Sequence, residues 1–162
     1  ACTLCKKVFK CQFATIDLTY WYPAGCMETS CGVVLVNYGT VLLLQYPQGH
    51  WDFPKGHVEE RDQDHHATAR RELQEETGIE EIEFIPEFVE RSEYSYRHKG
   101  RKRTKQVFWY LAETERLTVK LSAEHRGHMW LDWVQAEEQL SHDATRTILQ
   151  KAHEHMKRIG KD

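Results

Sequence analysis

Three glutamates stand close together in the segment Arg71-Glu72-Leu73-Gln74-Glu75-Glu76-Thr77-Gly78-Ile79. Side chains three and four residues apart are neighbours on a helix, so Glu72, Glu75 and Glu76 are expected to crowd on one helical face. Each like-charge pair at i,i+4 destabilises an isolated helix by roughly 0.2–0.5 kcal/mol. A divalent cation over that face would remove the repulsion, because Mg²⁺ prefers carboxylate oxygens as ligands. The alternative is a solvated acidic helix that ends in glycine by chance.

This segment resembles the signature of the Nudix hydrolases: glycine, five residues, glutamate, seven residues, then Arg-Glu-aliphatic-x-Glu-Glu-x-Gly-aliphatic. Residues 71–79 match every fixed position of the second half. In the first half, the family glutamate would fall on Gln63, and Gly56 fits only if one residue is inserted before the helix. Asp62 is then the nearest carboxylate, and its place ahead of the helix also favours an N-cap role. In the family this glutamate mainly supports the loop and the helix, so the departure bears on rate and rigidity more than on reaction class.

The resemblance implies an enzyme that hydrolyses a nucleoside diphosphate linked to another group. Divalent cations assist this reaction because they neutralise and orient phosphate oxygens and acidify a bound water. Glu75 and Glu76 are the expected metal ligands, and Glu72 adds a ligand or acts as base on the attacking water. Arg71 is expected to orient a glutamate, and the backbone carbonyl of Lys55 to be a further ligand. Mg²⁺ is the expected metal, with Mn²⁺ open because both accept carboxylate and water ligands.

Two other segments resemble the dinucleoside tetraphosphate hydrolases within that family. In the loop at residues 50–59, His-Trp-Asp-Phe-Pro-Lys-Gly-His-Val-Glu, His50 and Lys55 are expected to contact the phosphate chain. In the segment Leu121-Ser122-Ala123-Glu124-His125, with Trp130 downstream, Glu124 is expected to be a fourth metal ligand or the base. The resemblance implies cleavage of diadenosine tetraphosphate to ATP and AMP by water attack on a phosphorus away from the centre of the bridge.

The basic residues are concentrated between Tyr94 and Lys105. Such a run is usually a solvated loop tip, but this branch of the family places a base-stacking tyrosine and phosphate-binding lysines here. Tyr96 and Lys105 are the closest matches. Stacking on an aromatic ring contributes about 1–3 kcal/mol per base and would suit a substrate with two nucleosides.

Two alternatives to dinucleotide hydrolysis stay open. The loop at residues 51–56 also resembles enzymes that remove pyrophosphate from 5′-triphosphorylated RNA, and the basic run would then follow an RNA backbone. The segment from Ser122 to His125 favours the dinucleotide. The departure in the first half of the signature leaves a third function, a nucleotide-binding module with little turnover.

Charge and hydropathy limit the partners. The formal net charge of −3 argues against a general nucleic-acid or membrane binder. No apolar run approaches the ~18 residues of a membrane span. The expected partner is a small dinucleoside polyphosphate, with RNA 5′ ends as the alternative. No membrane and no required protein partner are expected, and the expected location is the cytoplasm.

Cysteine and histidine groups offer other metal sites. Cys2, Cys5, Cys26 and Cys31 allow a four-thiolate zinc site as one interpretation. Against it, Cys31 opens an apolar strand, where a small buried thiol is ordinary. The pairs at 65–66 and at 153 and 155 do not share a helical face, so these histidines are expected to be surface or capping residues rather than ligands.

These side chains must be positioned by helices and strands. The signature helix is predicted over 64–77 with Gly78 as its C-cap, and a final amphipathic helix over 142–158. Residues 37–39 predict a hairpin turn and 47–56 a loop, and strands are predicted at 33–36, 41–46, 82–88, 89–96, 104–112 and 129–134. The fold class expected is α/β (α+β), a three-layer α/β/α sandwich with a mixed β-sheet. Residues 27–162 are the expected Nudix domain, and residues 1–26 an extension of unknown role or sequence upstream of a start at Met27.

Overall fold

The computed structural model describes residues 27–161, which form a seven-stranded sheet flanked by three helices. The elements in chain order are β1 (Glu28–Asn37), β2 (Thr40–Gln45), β3 (Trp51–Asp52), β4 (Lys55–His57), α1 (His65–Thr77), β5 (Glu83–His98), β6 (Arg101–Glu113), β7 (Gly127–Asp132), α2 (Trp133–Gln139) and α3 (Asp143–Arg158). The predicted extension, residues 1–26, lies outside the described residues, so the division at Met27 stays a prediction.

The sheet is mixed, as predicted. β1 pairs in parallel with β6 and antiparallel with β2 and β4. The other pairs, β5 with β6 and β2 with β3 and β7, are antiparallel. The sheet runs β3-β2-β1-β6-β5 along its main path and does not close.

Both faces of the central strands are covered. Val34 and Val36 of β1 pack with residues of α2 and α3, whereas Val33 and Leu35 pack with Leu73 of α1. Because successive side chains of a strand point to opposite faces, α1 lies on one face of the sheet and α2 and α3 lie on the other. The predicted three-layer sandwich is confirmed.

The caps of α1 explain where this helix starts and stops. Asp64, not Asp62, is the N-cap: its side chain accepts a hydrogen bond from the Ala67 amide at 2.8 Å. The N-cap prediction for Asp62 is therefore wrong by two residues. Gly78 is the C-cap, with φ 71° and its amide donating to the Gln74 carbonyl, as predicted.

Several predicted strand boundaries need correction. The strands at 82–88 and 89–96 are one strand, β5, whose register shifts between Phe84 and Val89. The strand at 129–134 ends at Asp132, because the Asp132 side chain caps α2 through the Gln135 amide. The predicted loop at 47–56 contains the short strands β3 and β4. The turn at residues 37–39 and the final helix are confirmed.

Cys31 and His155 are both buried. Burial raises the pKa of the Cys31 thiol to about 12, and the charge of Asp62 acts in the same direction. The three other cysteines of the zinc interpretation lie outside the described residues. His155 faces the sheet, with Nε2 3.1 Å from the Pro86 carbonyl oxygen, so the prediction that it is a surface or capping residue is wrong. Within residues 27–161, no helix has the length and apolar character needed to cross a membrane.

Candidate active site

Strand β4 is the meeting point of two chemically different regions. Lys55 pairs with Gly32 and Gly56 with Cys31, so their side-chain directions point to opposite faces of the sheet. A Cβ added to Gly56 would lie 1.9 Å from the Cδ atom of Glu72. Any larger residue at position 56 would therefore displace the Glu72 carboxylate from its place beside the β4 backbone. We call the group of carboxylates on and beside α1 the acidic side and the group of residues around the Lys55 side chain the basic side.

Arg71 holds the acidic side together. Its Nε and Nη2 atoms each donate to the Asp62 carboxylate at 2.9 Å, and Nη2 also donates to the His57 carbonyl at 2.8 Å. Its Nη1 atom donates to Glu72 at 2.8 Å and to Glu75 at 3.1 Å. The predicted role of Arg71, to orient a glutamate, requires this geometry.

Asp62 does the supporting work expected of the missing family glutamate. Besides Arg71, its carboxylate accepts hydrogen bonds from the Glu59 amide and the Thr68 hydroxyl, both at 2.9 Å. The hydrogen bonds from Arg71 hold the pKa of Asp62 well below its usual range. The charged carboxylate thus ties the loop that precedes α1 to the helix itself.

Glu76 is a buried carboxylate of the acidic side, with 6% of the residue exposed. It accepts a hydrogen bond from the Lys55 amide at 3.1 Å. Burial raises the pKa of Glu76 to about 8, although the charge and amide of Lys55 act in the opposite direction. Nε2 of His125 lies 3.4 Å from Glu76 without the geometry of a hydrogen bond, and this buried nitrogen has no hydrogen-bond partner within residues 27–161. The buried Glu76 carboxylate is thus a group that a cation would stabilise in its charged form.

The other predicted ligands surround Glu76 unequally. Glu72 is partly buried, which raises its pKa. The Glu75 side chain is 50% exposed and contacts Arg61 and Arg71. Glu124 is exposed, and its charge contributes to the raised pKa of Glu76. In the described part of the chain, no three His, Cys, Asp or Glu side chains form a ready-made metal site. Arginines and a backbone amide contact these carboxylates, but the oxygen donors of Glu72 and Glu76 fit a hard cation such as Mg²⁺.

The segment that carries Glu124 is docked on the end of α1. The amides of Lys120 and Ser122 donate to the carbonyls of Thr77 and Glu76, at 2.8 and 3.0 Å. Ser122 Oγ lies 3.1 Å from His125 Nδ1. The predicted Ser-x-Glu-His segment is therefore brought to the signature helix from 48 residues away in sequence, counted from Glu76 to Glu124.

The basic side brings His50 and Lys55 together, and with them two residues that the sequence did not single out. The Lys55 ammonium lies 3.1 Å from Asp52 and 4.0 Å from the centre of the Tyr46 ring. Tyr46 stacks on His50 at 4.8 Å and meets the edge of His125 at 4.5 Å. Burial, together with the Lys55 charge, lowers the pKa of His50. Together these residues form a cationic and aromatic surface beside the acidic side.

Tyr46 ended a predicted strand and Asp52 stood in a predicted loop, so neither gave a local chemical signal. The position of Tyr46 depends on contacts between residues far apart in the sequence. Strand β2 pairs with β7, and the Arg126 amide donates to the Gln45 carbonyl at 2.8 Å. This pairing carries His125 to Tyr46.

The basic run forms the end of the β5–β6 hairpin, which we call the basic hairpin (residues 94–105). Lys105 lies opposite Tyr94. Burial lowers the pKa of Lys105, and the charge of Lys55 lowers it further, so the two lysines share one electrostatic environment. The Tyr96 hydroxyl donates to Glu28 at 2.8 Å. Tyr94 and Glu28 are further residues of this region that the sequence did not indicate.

The sequence profile described as the NUDIX domain matches residues 28–152. The chain belongs to the Nudix family. A Rattus norvegicus protein named asymmetrical bis(5′-nucleosyl)-tetraphosphatase is 38% identical over 117 residues, which are 70% of this chain and 78% of that protein. The structure of a C. elegans Ap4A hydrolase binary complex superposes with a TM-score of 0.69 and 28% identity, over 80% of this chain and 98% of that one.

In this Nudix chain, α1 is the signature helix, and the predicted family and its dinucleoside tetraphosphate branch are confirmed by these relatives. The E. coli dihydroneopterin triphosphate pyrophosphohydrolase, with 20% identity and a TM-score of 0.61, covers 76% of this chain and 92% of its own. That likeness shows the Nudix fold alone.

Proposed function

We propose that this chain is a Mg²⁺-dependent Nudix pyrophosphohydrolase that cleaves diadenosine tetraphosphate asymmetrically, to ATP and AMP. The observation that carries the proposal is the double role of Lys55. Its amide donates to the buried Glu76 carboxylate, while its ammonium contacts Asp52 and the Tyr46 ring. A metal-binding region and a phosphate-binding region are thus joined at one residue. The names of the relatives support the choice of substrate.

The acidic side would hold the cation. Glu72 and Glu76 are the proposed principal ligands, with Glu75, Glu124 and the Lys55 carbonyl as further ligands. When bound, the cation neutralises phosphate oxygens and acidifies the attacking water. Mn²⁺ would serve in the same site, because it accepts the same ligands. The cytoplasmic location is part of this proposal.

The chain's own side chains bind and orient the substrate. We assign Lys55, Lys105 and His50 to the phosphate chain and Tyr96 to one of the bases. Asp52 holds the Lys55 ammonium, and Arg71 holds Glu72 by a charge-assisted hydrogen bond. In the reaction, a water oxygen forms a new P–O bond and one bridging P–O bond breaks. The water proton passes to Glu72 or Glu124, and the leaving nucleotide departs as an anion.

A second candidate substrate is 5′-triphosphorylated RNA, from which the same chemistry would release pyrophosphate. The observation that favours it is the basic hairpin, whose exposed residues Arg97, Lys99, Arg101 and Lys102 project past Lys105, the first residue of β6 that pairs with β1. An RNA backbone would be attracted to these charges, and its binding would weaken as salt rises. Competition between diadenosine tetraphosphate and a short triphosphorylated RNA separates the two, and strong preference for the RNA would reverse the order.

The test of the leading proposal is product analysis with diadenosine tetraphosphate, Mg²⁺ and ¹⁸O-labelled water, run beside Glu76→Gln. ATP and AMP from the parent chain, with the label in one product, would support it. Two ADP molecules would show a different cleavage geometry. Saturable binding without any product would favour RNA 5′ ends or, if these also stay intact, a nucleotide-binding module with little turnover.

A further inference from the structure

Glu28, the first residue of β1, lies at a junction of three other strands. Its carboxylate accepts hydrogen bonds from the Tyr96 hydroxyl of β5 at 2.8 Å and from Arg103 Nη1 of β6 at 2.9 Å. Nε2 of His57, in β4, lies 3.6 Å away. The Glu28 side chain is only 17% exposed. This partly buried carboxylate therefore links the basic hairpin to the strand that carries Lys55.

The position of Glu28 in the sheet makes this link effective. The parallel pairing of β1 with β6 begins at Glu28 and Lys105, so the hairpin projects past the end of β1 from that point. Tyr96 and Arg103 lie opposite each other within the projecting part. Glu28 lies at the end of the β1–β6 pairing and contacts both of them. Because side chains alternate along a strand, its side chain lies on the same face of the sheet as that of Lys55.

The electrostatics agree with an anchoring role. Burial alone would raise the pKa of Glu28, but the hydrogen bonds from Tyr96 and Arg103 outweigh it and the pKa is lowered. The carboxylate is thus charged when it holds its partners, and hydrogen bonds to a charged group are stronger than neutral ones.

We propose that Glu28 is a positioning residue that fixes Tyr96 and Arg103 of the basic hairpin against β4, so that the hairpin is preformed to receive the outer nucleoside of the substrate. This inference rests on the proposed function, in which Tyr96 contacts a base. A preformed hairpin improves binding because less conformational freedom is lost when the substrate arrives. Glu28 does not touch the reacting phosphate in this scheme, so its effect belongs to substrate binding and not to the chemical step.

The kinetic test compares Glu28→Ala and Glu28→Gln with the parent chain. For diadenosine tetraphosphate, we expect Glu28→Ala to raise KM about tenfold and to leave kcat within about twofold. The reason is that the removed charged hydrogen bonds assist substrate binding and not the chemical step. Glu28→Gln keeps an acceptor oxygen, so its KM is expected to lie between those of the parent chain and Glu28→Ala. For adenosine 5′-tetraphosphate, which lacks the second nucleoside, KM is expected to change less than about threefold.

The matched control is Glu93→Ala, which removes a carboxylate of β5 that pairs with Arg91 at 2.7 Å and does not contact Tyr96 or Arg103. We expect it to leave both KM values unchanged. A fall in kcat without a change in KM for Glu28→Ala would overturn the proposal in favour of a general structural role. So would equal rises in KM for the two substrates.

Amide hydrogen exchange tests the placement of the hairpin without turnover. The amides of residues 96–104 are expected to exchange about tenfold faster in Glu28→Ala, whereas those of α3 are expected to be unchanged. Unchanged exchange in the hairpin would overturn the anchoring role. If the parent chain fails to hydrolyse the dinucleotide, the proposed function falls, and the exchange result still decides whether Glu28 anchors the hairpin.

Discussion

The acidic and basic sides of β4 balance their charges in different ways. On the acidic side, Arg71 contacts Asp62, Glu72 and Glu75, whereas Glu76 accepts a hydrogen bond from an amide and lies near a poorly aligned histidine. On the basic side, the Lys55 ammonium pairs with its own carboxylate, Asp52. Among the described residues, the buried Glu76 carboxylate thus has no ion pair with a lysine or an arginine, whereas the Lys55 ammonium does have a carboxylate partner. A metal-bound polyphosphate, which has cationic and anionic parts, is complementary to both.

The largest effect on activity is expected from a substitution of Glu76 on the acidic side. Glu76→Gln keeps the size of the side chain but removes the charge that a cation requires. We expect kcat to fall on the order of 10³-fold or more. Steady-state kinetics at saturating Mg²⁺ measures this loss. Glu75→Gln is the matched control, because that half-exposed carboxylate is shared by two arginines, and a smaller loss is expected. Equal losses in the two variants would contradict the unequal roles given to these glutamates.

The corresponding substitution on the basic side is made at Lys55. Lys55→Met removes the ammonium but keeps the amide that donates to Glu76. We expect kcat/KM for diadenosine tetraphosphate to fall about 10²-fold, in the range of a lost charged contact to substrate. The Mg²⁺ concentration that gives half-maximal rate is expected to stay within about twofold of the parent value. A large shift in the metal requirement would show that the two sides are not separable.

The pH dependence of stability sharpens the same contrast in metal-free protein. The pKa of Glu76 is raised to about 8 in the folded chain, from 4.5. Between these values the folded state keeps a proton that the unfolded state has released, so stability is expected to fall as the pH rises from about 4.5 to about 8. Urea unfolding in a chelator at pH 5 and pH 8 tests this, with Glu76→Gln as reference. The parent should lose more free energy of unfolding than the variant, and Mg²⁺ should restore part of the loss at pH 8. Parallel curves would count against the raised pKa.

The smallest effect is expected at Tyr46, which lies against the Lys55 ammonium. Tyr46→Leu removes the aromatic face, and a cation–π contact at a partly exposed site contributes about 0.5–1 kcal/mol. We therefore expect kcat/KM to fall between about twofold and fivefold. Tyr46→Phe keeps the ring and loses only the hydroxyl, which donates to the Phe53 carbonyl at 3.1 Å. If Tyr46→Phe lowers kcat/KM as much as Tyr46→Leu, the hydroxyl and not the aromatic face carries the effect.

The acidic side was the more predictable one because most of its residues lie close together in the sequence. Arg71, Glu72, Glu75 and Glu76 fall within one helix, so residue spacing alone places them on neighbouring positions. The C-cap at Gly78 was predicted correctly, whereas the N-cap is Asp64 and not Asp62. Asp62 and Asp64 have the same side chain just before the helix, and their contacts separate their roles: Asp64 accepts from the Ala67 amide, and Asp62 accepts from Arg71.

The basic side could be predicted only in part because strand pairing assembles it. His50 and Lys55 came from the family resemblance, but Tyr46 meets His125 only through the pairing of β2 with β7. Glu28 and Tyr96 are separated by 68 residues and meet because β6 pairs with β1 on one edge and with β5 on the other. No local spacing rule connects such residues. The mixed sheet was predicted as a class, but its register was not, and the register decides these contacts.

The amide of Lys55 has a consequence for how such an enzyme diversifies. The contact with Glu76 is made by the backbone, so any residue other than proline at position 55 retains the donor. Selection can therefore exchange the side chain that we propose contacts the substrate, while the proposed cation-binding residues stay unchanged. Single substitutions at this position can therefore change the substrate range, because each substituted protein keeps the backbone donor to Glu76.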